Sequence, residues 1–179
     1  MKKFIFIVFI FAIFLHVSCA SDETCTQSKN VKLTVGFYHV SYNDLTKANT
    51  FSALSIDSLT IQGMKIDTLT GQFHLVDSIL YNNQKKVSTI DLPLNNLLLK
   101  SNTSKKFSTQ STFKIKFNTT VDTMTIYHTN LNDYLSLECG CIVTHSIDTV
   151  IMTNHFIDSV RIKIHDVNTI NAENISLYK

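Results

Sequence analysis

The sequence predicts an all-β protein: an antiparallel β-sandwich of about ten strands behind an N-terminal signal or lipoprotein leader. Three observations carry that prediction. Short runs rich in Ile, Val, Thr and Phe alternate apolar and polar residues with the period of two that lays one face of a strand on a core. A phrase of aliphatic residue, Asp, Ser or Thr, and aliphatic residue occurs at 56–59, 66–69, 76–79, 121–124, 147–150 and 157–160, and the spacing of ten between the first three and again between the last two suits short strands joined by turns. After the leader the chain is nearly free of long helical period, so its faces must be buried by stacking two sheets or closing a barrel.

The chain has 179 residues, 44% hydrophobic and 17% charged, enough for one packed domain and short for two. Lys2 and Lys3 precede an apolar run from Phe4 to Val17 broken only by His16, and Ser18-Cys19 closes it. A positive start, a short apolar run and a small closing residue form a secretory signal, too short to be read as a membrane-crossing helix. Leu15-His16-Val17-Ser18-Cys19 resembles a bacterial lipobox, with His16 where the usual leucine stands. The expected organisation is therefore a signal peptide over 1–18, a lipidated Cys19 with a tether over 19–30, and a single domain over 31–179. Each methylene that an acyl chain buries adds about 0.8 kcal/mol, so several chains on Cys19 would hold the protein to a membrane. Ala20-Ser21-Asp22-Glu23 is similar to the tract that directs many lipoproteins of the Bacteroidetes to the outer face of the outer membrane, so the expected location is an outer-membrane lipoprotein, on its periplasmic or cell-surface face. Loss of Lys2 and Lys3 with the leader leaves 14 basic against 14 acidic side chains, a near-neutral domain that argues against nucleic-acid binding.

In order along the body, 31–37 alternates as a half-buried strand with Val31, Leu33, Val35 and Phe37 on one face. Residues 42–51 lack a strong period and are expected to be a polar crossing with room for a turn of helix. Strands follow at 73–81 and 87–92, and Pro93, which lacks an N–H, marks a strand end or edge. Residues 95–106 are expected to be loop, with 97–99 tucked onto the core. Residues 112–117 bury Phe113, Ile115 and Phe117 and turn through Asn118-Thr119-Thr120 into 122–128, the clearest hairpin in the chain. Strands at 147–152, 158–164 and 173–178 complete the count.

The segment 135–145 reads as one strand with Leu135, Leu137, Cys139, Cys141, Val143 and His145 on a single inward side. Outside the cytoplasm Cys25 should form a disulfide with Cys139 or Cys141, closing a loop of more than a hundred residues. The chain-entropy ceiling for such a loop is about 4.7 kcal/mol. Cys139, Cys141 and His145, with His155, offer zinc-type ligands. Residues four apart in a strand lie about 13 Å apart, whereas zinc needs every ligand near about 2.0–2.3 Å, so no metal and no cofactor is expected. His39, His74, His128 and His165 read as surface residues. The Asp-Ser/Thr phrases read first as turns, the carboxylate taking a nearby N–H. They also resemble the O-glycosylation site of exported Bacteroidetes proteins, which would fall on Ser58, Thr68, Ser78, Thr123, Thr149 and Ser159. There is no glycine-rich phosphate cradle, no Gly-x-Ser-x-Gly elbow and no His-Glu-x-x-His pair, so no catalytic residue is assigned.

The lipobox-like start, Asp-Ser-Leu-Thr-Ile at 57–61, Asp-Thr-Met-Thr-Ile at 122–126 and Glu-Cys-Gly-Cys at 138–141 resemble a family of uncharacterised Bacteroidetes lipoproteins known only as a domain of unknown function. That resemblance implies the bridge Cys25–Cys139 and leaves Cys141, where an aromatic is often found, without an assigned role. Two functions compete. One is a non-catalytic binding or structural domain of the cell envelope, tied to the membrane by its lipid anchor. Its partner would be a glycan, a peptide or an envelope protein, met by exposed aromatics such as Tyr38, Tyr42, Tyr127 or Tyr134. The other is a metal-binding or enzymatic envelope protein using the Cys139/Cys141/His145 side.

Overall fold

The computed structural model describes residues 29–67, 69–97 and 109–179. Cys19, Cys25 and Thr68 lie outside them, as does the leader. The described chain contains eleven strands and no helix. These are β1 (Leu33–Asn43), β2 (Ala48–Ala53), β3 (Leu59–Ile66), β4 (Phe73–Gln84), β5 (Thr89–Leu92), β6 (Thr109–Phe117), β7 (Thr120–Ser136), β8 (Gly140–Met152), β9 (Ser159–Ile162), β10 (Asp166–Val167) and β11 (Glu173–Tyr178).

They form two sheets. The first has the order β2-β1-β11-β9, with β5 also paired to β1; the second has the order β10-β8-β7-β6-β3-β4. Alternation decides which residues face inward. Leu33, Val35 and Phe37 of β1, Ile90 and Leu92 of β5 and Ile175 and Leu177 of β11 form one wall of the core. Ile61 of β3, Phe113, Ile115 and Phe117 of β6, Met124 and Ile126 of β7 and Ile147 of β8 form the other. The layers meet where Phe37 sets its ring edge against Phe117, centroids 5.7 Å apart. The sandwich is as expected, with one pairing of a different sense: β1 and β11 run parallel, and every other strand pair is antiparallel. The hairpin of β6 and β7 is likewise as expected, with Asn118 in its turn at φ 51°.

Three local expectations are corrected. Residues 42–51 are not a crossing: β1 runs on to Asn43 and returns as β2. Asn43 Oδ1 accepts the N–H groups of Leu45 and Thr46, so the turn is closed by a side chain that period counting ignores. Leu97 is not tucked onto the core but 64% exposed. The segment 135–145 is not one strand. It is the end of β7, a turn over 137–139 and the start of β8. Gly140 supplies the positive φ, 70°, that this reversal requires and a β-carbon resists. Leu137 is consequently 88% exposed, Cys139 is 5% exposed, and Cys141 lies in the open, so the two thiols do not share a face.

Candidate functional site

Along β7, Asp122, Met124, Ile126 and His128 alternate inward and are all fully buried. His128 thus lies at the end of a row that is otherwise core, and its assignment to the surface is overturned. Between Tyr127 and His128 the pairing with β8 slips, so that Tyr127 faces Thr149 while His128 faces Ile147. Beyond the slip Asn130 lies opposite His145. The two imidazoles meet edge to face, centroids 5.1 Å apart.

The hydrogen bonds here admit one consistent placement of protons. Asn130 Nδ2 is 2.7 Å from the carbonyl oxygen of Asn95 and 2.8 Å from that of Leu97, so the amide nitrogen points there and Oδ1 points back. Oδ1 must then accept, from His128 Nδ1 at 2.8 Å and from His145 Nδ1 at 2.7 Å. With its proton on Nδ1, His128 presents a lone pair at Nε2, 2.9 Å from Ser111 Oγ on β6. Ser111 Oγ already accepts the Asn95 N–H at 2.9 Å, which leaves its own proton for Nε2. The chain Ser111 to His128 to Asn130 is a hydroxyl, a base and a group that orients the base. Burial pushes the His128 imidazole below its ordinary value, against the opposing Asn130 bond and the charge of Asp148. Burial, then the neighbouring His128, brings His145 down to about 4. Both rings are neutral at pH 7.

Ser111 also faces space. It lines an open cavity of about 800 Å³ whose walls include Val76 and Leu80 of β4, Leu94 after β5 and Phe113 of β6. Lys65 is the only charged side chain among the described lining residues, and Thr109 adds a hydroxyl. A mostly apolar cleft with a few converging polar groups has the composition of a small-molecule site.

Two other polar clusters are closed. Asp122 accepts the N–H groups of His155, Phe156 and Ile157 at 2.6, 2.9 and 3.1 Å and the Thr153 hydroxyl at 2.8 Å. Burial alone would raise its carboxyl pKa, but those donors hold it below the usual range. On the first sheet Glu173 takes bonds from Tyr38 Oη at 2.5 Å, Lys163 Nζ at 2.7 Å and Ser176 Oγ at 2.6 Å. Its carboxyl lies over Gly36, where a β-carbon would stand 2.7 Å from it.

The remaining sequence candidates are dispersed. His145 turns to Asn130 while Cys141 is exposed, so the Cys139/Cys141/His145 set does not converge. No group of three metal-ligating side chains occurs among the described residues. Cys141 is the free thiol among those residues, and Cys139 is engaged. Of the Asp-Ser/Thr phrases, Asp67 makes the expected local turn, taking the N–H of Leu69 at 2.8 Å, whereas Asp122 reaches a loop more than thirty residues away. Ser78, Thr149 and Ser159 are exposed; Ser58 and Thr123 are half-buried. The four tyrosines do not share one face, since Tyr38 and Tyr42 belong to β1 and Tyr127 and Tyr134 to β7, in different sheets. Ser111, His128 and Asn130 were missed by motif reading. The usable signal was strand alternation, which puts His128 and Asn130 two apart on β7.

The fold and this site describe a small sandwich domain with a buried polar relay beside an open cleft. A family of unknown function (DUF6452) matches residues 58–179, and the chain belongs to that family. No curated protein and no solved structure matches it.

Proposed function

We propose that this protein is an exported, lipid-anchored domain of the cell envelope that binds an aliphatic ligand in the cleft between β4 and the segment after β5. The cleft carries the reading: its volume suits a small molecule, and walls of Val76, Leu80, Leu94 and Phe113 suit an aliphatic chain better than a glycan. Lys65 at the wall favours a ligand with an anionic group. The leader and Cys19 support export and acylation, with the protein held at the outer membrane. A Cys25–Cys139 bridge fits the same compartment. Its support is that Cys139 is buried and engaged whereas Cys141 is exposed and free. Modification of the exposed Ser78, Thr149 and Ser159 would likewise be open to the folded protein.

Displacement of a fluorescent fatty acid by unlabelled decanoate tests the binding reading. Saturable binding that is lost in Leu80→Lys, with unchanged urea unfolding, is expected. Equal binding by both proteins removes the cleft from consideration. Intact mass of protein from its native membrane tests the anchor: an unacylated chain that keeps residues 1–18 would overturn it.

A further inference from the structure

We propose that Ser111 is a nucleophile, with His128 as its base and Asn130 as the positioning residue, in an acyl-transfer site that hydrolyses esters of aliphatic acids in the cleft. The inference rests on the cleft being the ligand site and adds chemistry to it.

Three observations carry the proposal. The first is distance: Ser111 Oγ to His128 Nε2 is 2.9 Å and His128 Nδ1 to Asn130 Oδ1 is 2.8 Å, within reach for proton transfer and for holding the ring. The second is proton placement. An amide behind an imidazole orients it correctly only if its oxygen faces Nδ1, since the reverse amide would move the ring proton to Nε2 and block the base. Here the Asn95 and Leu97 carbonyls lock Nδ2 away from the ring, so the working tautomer is the one present. The third is access. His128 is sealed, while Ser111, 6% exposed, sits in the wall of the cleft.

The step balances with water as the only co-reactant. Ser111 Oγ attacks the ester carbonyl carbon as its proton passes to His128 Nε2. The bond from that carbon to the alkoxy oxygen breaks, and the oxygen takes the proton and leaves as an alcohol. Water then adds to the acyl-serine carbonyl, giving a proton to Nε2. The acyl–Oγ bond breaks, the proton returns to Oγ, and a carboxylic acid is released. The Asn95 N–H, 2.9 Å from Oγ, favours the charge that develops there as the proton leaves.

The experiment treats the purified folded protein with a fluorophosphonate probe and with p-nitrophenyl octanoate, and measures octanol binding by displacement in parallel. One adduct per chain, mapped by peptide mass spectrometry to Ser111, is expected. Ser111→Ala should lose the adduct and slow nitrophenol release by about a hundredfold or more. Octanol binding without an adduct, and with equal release by both proteins, overturns the catalytic proposal and leaves the binding reading standing. Neither binding nor an adduct overturns both. Should Ser111→Ala fail to fold, the position of the adduct on the unaltered protein decides, and an adduct elsewhere overturns the assignment.

Discussion

The two ends of β7 handle a buried polar group in opposite ways. At one end Asp122 keeps its charge, because three backbone N–H groups and a hydroxyl saturate the carboxylate and staple residues 153–157 to the sheet. At the other, His128 hydrogen-bonds two neutral side chains and stays neutral, and its network reaches a hydroxyl in the cleft wall. A buried group whose bonds all return to the protein can only stabilise it. One whose last bond is to a hydroxyl lining a cleft keeps a proton that can move.

That contrast can be broken first at Asp122. Asp122→Ala strands three backbone donors and should lower unfolding free energy by about 3 kcal/mol, read as a shift in urea midpoint. The same substitution should leave ligand binding in the cleft intact.

Acid should break the other end by a similar amount. His145 is depressed in the fold, so its contribution is fully present above the unfolded value of 6.5 and is lost as pH falls toward about 4. Linkage gives about 3 kcal/mol of lost stability at pH 4. His128, also lowered and flanked by His145 and Asp148, acts in the same direction. Asp122 acts in the same direction but in a lower window: its pKa is depressed, so its contribution holds above 3.8 and fades only below it. Urea midpoints at pH 7, 5 and 4 should therefore fall for the unaltered protein, and fall less for His145→Gln.

Asn130→Ala removes the hub of the neutral network at a cost of about 2 kcal/mol and should free the segment after β5, seen as faster amide exchange at Asn95. Smallest should be Gly36→Ala, where the new methyl group must push the Glu173 carboxyl aside; about 1 kcal/mol is expected by thermal melting.

Legibility in the sequence follows the range of the forces involved. Alternation along a strand is local, so the inward faces of β1 and β6 could be read directly, and so could the β6–β7 hairpin with its Asn118 turn. The hairpin at Cys139 was misread because apolar alternation runs unbroken from Leu135 to Val143, and only the conformation of Gly140 reveals the reversal. Residues 42–51 hid a turn made by one side chain, Asn43. The site was least legible. Ser111 and Asn95 are brought to His128 by strand pairing and by the exit of the chain from β5, and no local pattern encodes either event.

The parallel partnership of β1 and β11 has a temporal consequence. β11 lies between β1 and β9, and Lys179 exchanges backbone bonds with Tyr38 and Val40 at 2.9 and 2.8 Å. A chain released amino end first therefore delivers the middle of this layer after nearly everything else. Until residues 173–178 emerge, β1 and β9 have no common neighbour, and this layer cannot close.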